Sequence, residues 1–359
     1  MKIVLAPGKF AGILSAVEAA RAMAEGWRRA RPADDLVLVP MADGGEGTID
    51  VVEWAVPRAR RACLEVADAH GHAILAAWLA LPDGRALVEA AQACGPSRLA
   101  PVPGLEPRME PDPLHATSYG VGQLLRAASA HHLEIVVGVG GSATADGGGG
   151  MATALGHRLL RADGNGVKVG GRFLADLDRI EAGPPLPASI VVASDVASPL
   201  LGPCGAMATL AAQHGAAEGD VPVLEAALTR LADVAERDLR GGPWRDLRGA
   251  GAAGGLGFGL AAFCGARLAP GVAAVAGLVG LDRALDRAAV VVGTGEGALD
   301  RRLADNGVPA LVAALGRAHG CAVFAVADRP DAVAALGPDG PRQAAEQVAA
   351  HTAELARAL

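Results

Sequence analysis

A chain of 359 residues exceeds what one hydrophobic core usually organises, so two domains are expected. Lys and Arg number 32 against 39 Asp and Glu, giving a net charge of −7, and aromatic residues make up 3% with one Tyr. With neither a basic stripe nor a stacking platform, the composition argues against nucleic-acid binding. Hydrophobic residues are 51% of the chain, so Ala, Gly, Val and Leu must build the core, which suits helices packed closely on a parallel sheet. No run of roughly 20 apolar residues suggests a membrane span, and no signal-like segment precedes the first strand, so a cytoplasmic protein is expected. The five cysteines (Cys63, Cys94, Cys204, Cys264, Cys321) are dispersed without a Cys-x-x-Cys pair, which argues against a disulfide framework or a zinc site. Cys204, in a Gly/Pro loop, could be reactive, but a buried or half-buried inert thiol is the plainer expectation.

In chain order, residues 3–6 read as a buried strand, followed by an amphipathic helix over 16–31. Ser15 is a candidate N-cap, and Glu18 three residues on completes a capping box. A second strand over 36–39 runs into Met41-Ala42-Asp43-Gly44-Gly45-Glu46-Gly47-Thr48, where three glycines and two carboxylates share eight residues. Glycine lets backbone approach a ligand, and helix-start amides favour anions. Asp43 and Glu46 could hold a divalent cation or take a proton; a tight strand-to-helix turn with an acidic N-cap is the plainer alternative.

Residues 60–95 change character. Strand-length pieces are separated by His70-Gly71-His72 and Pro82-Asp83-Gly84, which read as hairpin turns and predict an antiparallel element. His70 and His72 read as turn residues rather than metal ligands. Further strands are expected over 134–139, 189–193, 289–292 and 322–326, several followed by a glycine-rich turn and a helical pattern, the rhythm of βαβ units. Residues 249–263 predict a helix so tightly packed that small residues are required, or a helix start facing an anion. Residues 333–342 read as a loop and 343–359 as a closing amphipathic helix.

Three more strand ends carry candidate chemistry. Gly138-Val139-Gly140-Gly141-Ser142-Ala143-Thr144-Ala145-Asp146 offers free amides and small hydroxyls of the kind a phosphate chain needs. Ser142 and Thr144 could donate to phosphate oxygens, and Asp146 could bind Mg²⁺. Asp195 follows the 189–193 strand, and Thr294-Gly295-Glu296-Gly297 follows 289–292. A single carboxylate at such a place is more often a helix cap than a catalyst. Four strands ending in Asp43, Asp146, Asp195 and Glu296 suggest a ligand bound outside the carboxyl ends of the strands, where acids hold Mg²⁺ or accept a hydroxyl proton. A nicotinamide dehydrogenase is disfavoured, because Pro7-Gly8-Lys9-Phe10 stands where Gly-x-Gly-x-x-Gly would open the first crossover.

The 41–48 loop, Thr117-Ser118-Tyr119-Gly120-Val121-Gly122-Gln123-Leu124, the 138–146 loop, the run from Gly249-Ala250-Gly251 to Gly257-Phe258-Gly259, and Thr294-Gly295-Glu296-Gly297 together resemble bacterial glycerate kinases of the type that phosphorylates D-glycerate with ATP. The order and spacing match over nearly the whole chain. The resemblance implies two α/β domains: a Rossmann- or flavodoxin-like parallel-sheet domain from residues 1–58 and 287–359, and an inserted mixed α/β domain from 59–286. It also implies a small-molecule hydroxy acid as substrate, Mg-ATP as donor and 2-phosphoglycerate as product. On that reading Asp195 or Asp43 accepts the substrate proton. Asp146, Glu46 and Glu296 position Mg²⁺, and Gly140, Gly141, Ser142, Thr144, Gly295 and Gly297 cradle the nucleotide. Gly44, Gly45 and Arg302 face the substrate, and Lys9 or Arg302 neutralises its carboxylate or the transferring phosphoryl.

The departures are specific. The family's first loop reads Ala-Pro-Asp-Ser-Phe-Lys-Gly-Ser-Leu, whereas here Ala6-Pro7-Gly8-Lys9-Phe10-Ala11-Gly12-Ile13-Leu14 keeps the frame and loses the polar groups. Ala145 and Ser198 stand where the family has Asn. Ala298 replaces the usual Arg, and Asn306-Gly307 the Gly-Lys pair. Either Lys9 and Arg302 restore the charge from neighbouring positions, with glycerate or another small hydroxy acid as substrate, or the protein binds a metabolite without turnover.

Overall fold

The computed structural model describes residues 1–10, 13–99, 112–208, 217, 219–295, 307–327 and 340–359. The chain divides into two compact units: Met1–Asp43, Asp50–Pro57 and Gly271–Leu359 form the first, and Gly44–Ile49 with Arg58–Pro270 the second. Residues 271–286, expected in the inserted domain, thus fall in the first unit. The short Gly44–Ile49 segment, expected there, falls in the second.

The first unit is built on a four-stranded parallel sheet in the order β12 (Ala322–Ala327), β11 (Val290–Gly295), β1 (Lys2–Ala6), β2 (Asp35–Leu38). Its strands alternate between two apolar layers. Ile3, Leu5, Val290 and Val292 pack on one face with Met23 and Trp27 of α1 (Ala16–Ala30) and Val348 of the C-terminal helix Gly340–Ala358. Val4, Ala6 and Val291 pack on the other with Val272, Leu281, Leu285 and Val312, from three short helices between Gly271 and Ala318. The expected capping box forms: Glu18 N donates to Ser15 Oγ at 3.2 Å and Ser15 N to Glu18 Oε2 at 2.9 Å. Helix α1 is pressed tightly against the C-terminal helix; a Cβ on Gly26 would lie 1.9 Å from Ala349 O.

The second unit carries a six-stranded sheet, in the order β10 (Arg267–Ala269), β9 (Ser189–Ala193), β6 (Glu134–Gly138), β5 (Ala86–Glu89), β4 (Ala73–Ala80), β3 (Arg60–Ala67). The last two pairs are antiparallel, as the turns at 70–72 and 82–84 predict, and the rest are parallel. One apolar cluster forms its core, including Val137, Val192, Leu124, Leu228 and Phe258. Strand β10 and the small antiparallel pair Arg158–Leu160 with Arg179–Glu181 are too short to read from periodicity, and they are additions to the expected elements. The expected loop at 333–342 lies mostly outside the described residues; Gly340 already begins the last helix. No described helix is long and apolar enough to cross a membrane.

All five cysteines are free thiols. Cys63 and Cys204 are exposed, while burial pushes Cys94 and Cys264 up to about 12 and also raises Cys321. The thiolate is the reactive form. We therefore expect a maleimide at pH 7.5 to modify two thiols rapidly in the native protein, Cys63 and Cys204, and five after denaturation. Rapid native modification of Cys94, read by peptide mass spectrometry, would contradict the closed packing around it.

Candidate functional site

In the first unit the strand order reverses direction between β1 and its neighbours β2 and β11, which is where an open parallel sheet leaves a crevice beyond its carboxyl ends. Three of the expected residues follow those ends. Lys9 comes after β1 and is partly exposed, Asp43 comes after β2 and is partly buried, and Gly295 closes β11. Met41 N donates to Pro7 O at 2.8 Å, which ties the loops after β1 and β2 together. Glu296, Gly297 and Arg302 lie outside the described residues.

In the second unit the loops after β5, β6 and β9 meet at one sheet edge. The acidic glycine loop is laid against it, backbone to backbone. A Cβ on Gly44, whose φ is +92°, would sit 2.3 Å from Ala193 O; one on Gly138 would sit 2.4 Å from Gly44 O, and one on Gly140 2.6 Å from Gly45 Cα. Gly140 N donates to Gly44 O at 3.2 Å. Much of the glycine content that suggested ligand approach thus serves chain-to-chain approach. Gly140 and Gly141 are the members of the 138–146 loop that reach solvent, and Gly141 is fully on the surface.

The hydroxyls expected to meet phosphate are turned inward. Ser142 and Thr144 are buried, their oxygens 2.7 Å apart, and Thr144 N donates to Ser142 Oγ at 3.1 Å. Cys94 Sγ lies 3.3 Å from the same Ser142 hydroxyl. These side chains are therefore turned away from any phosphate, and since the Gly140 amide is held by Gly44 O, Gly141 is the exposed backbone position of this loop.

Asp146 is likewise occupied. At 1% exposure, its Oδ2 accepts from Ser118 N at 2.8 Å, Ser118 Oγ at 3.0 Å and Gly150 N at 3.0 Å, and its Oδ1 accepts from Gly148 N at 3.1 Å. Burial raises its carboxyl above the ordinary range, against the pull of those donors. Ser118 Oγ also takes the amide of Met151, at 3.0 Å. Asp146 therefore binds the start of the helix Gly149–Ala154 to the 117–124 segment, the capping role that such a carboxylate more often has. Its two oxygens are not presented to a metal ion.

The 249–259 run packs against the same loop. A Cβ on Gly254 would lie 1.8 Å from Thr144 O and one on Gly259 2.5 Å from Gly147 O, while Gly147 N donates to Gly254 O at 3.1 Å. The helix Ala252–Cys264 contains three residues, 253–255, with positive φ, so its first turn is bent around the loop. Close packing, rather than anion binding, accounts for its small residues.

Two carboxylates remain at this edge with surface access. Asp195, two residues beyond β9, is partly buried. Glu46 is exposed, and its Oε1 accepts from Ser97 Oγ at 2.5 Å. Sequence reading missed Glu89, taken as an ordinary strand residue. It is fully buried at the end of β5 and accepts from Gly47 N at 3.2 Å and Ile49 N at 2.8 Å. Its signal was a carboxylate in an otherwise apolar buried strand, Ala86-Leu87-Val88-Glu89.

No group of three or more potential metal ligands exists among the described residues. Mg²⁺ commonly takes one or two carboxylates and completes its shell with phosphate oxygens and water. Glu46, exposed and with an oxygen to spare, fits that role; Asp146 does not.

Both units are α/β, with a carboxylate beyond the carboxyl end of a parallel strand, Asp43 in the first and Asp195 in the second, which is the edge where open α/β sheets bind ligands. The chain matches the glycerate kinase family over residues 3–359, and it belongs to that family. A glycerate kinase from Halalkalibacterium halodurans is 38% identical over 331 residues, spanning 90% of this chain and 84% of the relative. The glycerate 2-kinase of Escherichia coli K12 is 38% identical over 333 residues, spanning 91% and 85%. A crystal structure of a protein from Salmonella typhimurium LT2, described as a candidate glycerate kinase 2, superposes with a TM-score of 0.82 at 35% identity and covers 100% of this chain and 98% of its own. The expected fold class and the expectation of an enzyme of this family hold.

Proposed function

We propose that the protein transfers the γ-phosphoryl group of ATP to the hydroxyl of D-glycerate, giving 2-phosphoglycerate, with Mg²⁺, in the cytoplasm. The observation that carries this reading is the family match over nearly the whole chain, joined to the survival of Asp43, Glu46 and Asp195 beyond strand ends, Glu46 exposed and the other two partly buried. Phosphoryl transfer needs positioning and charge neutralisation more than a covalent nucleophile. Asp195 or Asp43 accepts the hydroxyl proton. The Gly141 amide would face phosphate oxygens, Gly44 and Gly45 shape the loop beside it with the Gly140 amide held by Gly44 O, and Lys9 would neutralise the substrate carboxylate or the moving phosphoryl. Glu46 would hold Mg²⁺, which would supply neutralisation of the phosphate oxygens when bound. Asp146, Ser142 and Thr144 hold the glycine loop in shape.

The test is direct. Purified protein with D-glycerate, ATP and Mg²⁺ is expected to release ADP only when glycerate is present, with a 2-phosphoglycerate signal in the phosphorus NMR spectrum. ATP binding without turnover would instead assign the altered first loop, Gly8 to Ile13, to a protein that holds metabolites; turnover with a different small hydroxy acid would correct the substrate alone.

A further inference from the structure

The acidic loop is held by a residue that lies far from it in sequence. Glu89 is wholly buried at the carboxyl end of β5, and its two oxygens take the amides of Gly47 and Ile49, at 3.2 and 2.8 Å. Those amides belong to the turn that opens the helix Thr48–Ala55, where backbone N–H groups have no partner within their own helix. In the sheet Glu89 stands opposite Gly138, and the following residue, Ala90, donates its amide to Gly138 O at 2.8 Å. The residue that holds the acidic loop is thus registered against the residue that starts the glycine loop. A second contact aims the side chain: Ser97, in the 3-10 turn Pro96–Arg98, donates its hydroxyl to Glu46.

We propose that Glu89 is a positioning residue for phosphoryl transfer. By fixing the amides of Gly47 and Ile49 it sets Glu46, the residue just before them, at the sheet edge beside the Gly140-Gly141 backbone. Glu89 touches neither nucleotide nor acceptor; it acts through the loop it holds. The proposal rests on the kinase reading above for its catalytic consequence, while its structural half stands without it. A carboxylate suits this task because both oxygens accept, whereas an amide side chain would turn an N–H towards one of the two backbone donors.

The experiment compares wild type, Glu89→Ala, Glu89→Gln and, as a control for stability alone, Leu125→Ala, whose side chain is buried in the core of the same unit. Amide exchange at Gly47 and Ile49 is read by NMR or peptide mass spectrometry, and kcat and KM for ATP at varied Mg²⁺ are read well below each melting point. In Glu89→Ala, exchange at these two amides is expected to quicken about 10-fold, the loss of one hydrogen bond's worth of protection. The kcat/KM of that variant is expected to fall about 100-fold, as a misplaced reacting group commonly costs. Glu89→Gln is expected to fall between it and wild type, and it carries the test should Glu89→Ala not fold. Leu125→Ala should lose stability yet keep both values near wild type. Unchanged exchange, or kcat/KM within about twofold of wild type, would overturn the role of Glu89. If the wild-type protein itself shows no turnover with glycerate, the kinase reading fails, and the exchange measurement still decides whether Glu89 holds the loop.

Discussion

Asp195→Asn is expected to lower kcat by about 10²- to 10⁴-fold, the range in which removal of a positioned general base commonly falls. Asparagine keeps the shape of the side chain, so the melting temperature should stay within a few degrees of wild type. Neighbouring bonds help to hold the loop that carries Asp195: Val196 N donates to Ser194 Oγ at 3.2 Å, and Ser194 N to Ala269 O at 3.1 Å. Near-wild-type turnover would remove Asp195 from the catalytic role and pass it to Asp43, for which Asp43→Asn is the matching experiment.

Gly44→Ala should produce the second large effect, by a different route. The residue has φ +92°, and its new Cβ would come 2.3 Å from Ala193 O, a backbone atom of a buried strand that cannot move aside cheaply. The left-handed backbone costs about 1–2 kcal/mol for any residue with a Cβ. Overpacking against fixed backbone adds about 1–3 kcal/mol. Since a domain's net stability is only about 5–15 kcal/mol, two outcomes satisfy the argument. The protein melts well below wild type, or the loop lifts away from the edge and kcat/KM collapses in a folded protein. Calorimetry together with steady-state kinetics distinguishes them. A variant with both values unchanged would show that the close approach of Gly44 to β9 does not matter.

The fold was legible wherever a local pattern carried it. Continuous apolar runs gave β1, β6, β9, β11 and β12, the Ser15–Glu18 pair gave the start of α1, and the turns at 70–72 and 82–84 gave the antiparallel strands. Residues 271–286 joined the first unit because Val272, Leu281 and Leu285 pack on Val4 and Val291, a long-range choice that no periodicity records. At the site, the positions of the loops were legible but the direction of their side chains was not. Ser142, Thr144 and Asp146 carry the right groups for phosphate or metal, yet the two hydroxyls pair with each other inside the buried loop and Asp146 is taken by Ser118, a partner that only the folded chain supplies. Glu89 was overlooked for the same reason, since its partners lie some forty residues earlier.

The first unit's sheet sets Ile3 beside Val290, and the helix that follows β1 is locked at Gly26 against Ala349. On a ribosome adding about 5–20 residues per second, the early strands therefore wait through most of synthesis for the partners that cover them. Trp27 and Met23, buried in the finished protein, stay uncovered until the last helix emerges. The contiguous stretch 58–270 has no such wait and contains nearly all of the second unit. Birth order thus runs against reading order, with the middle of the gene product settling before its beginning. A nascent chain stalled shortly after residue 270 should be protease-resistant in its middle and open at its start, and that is where holding chaperones would be needed.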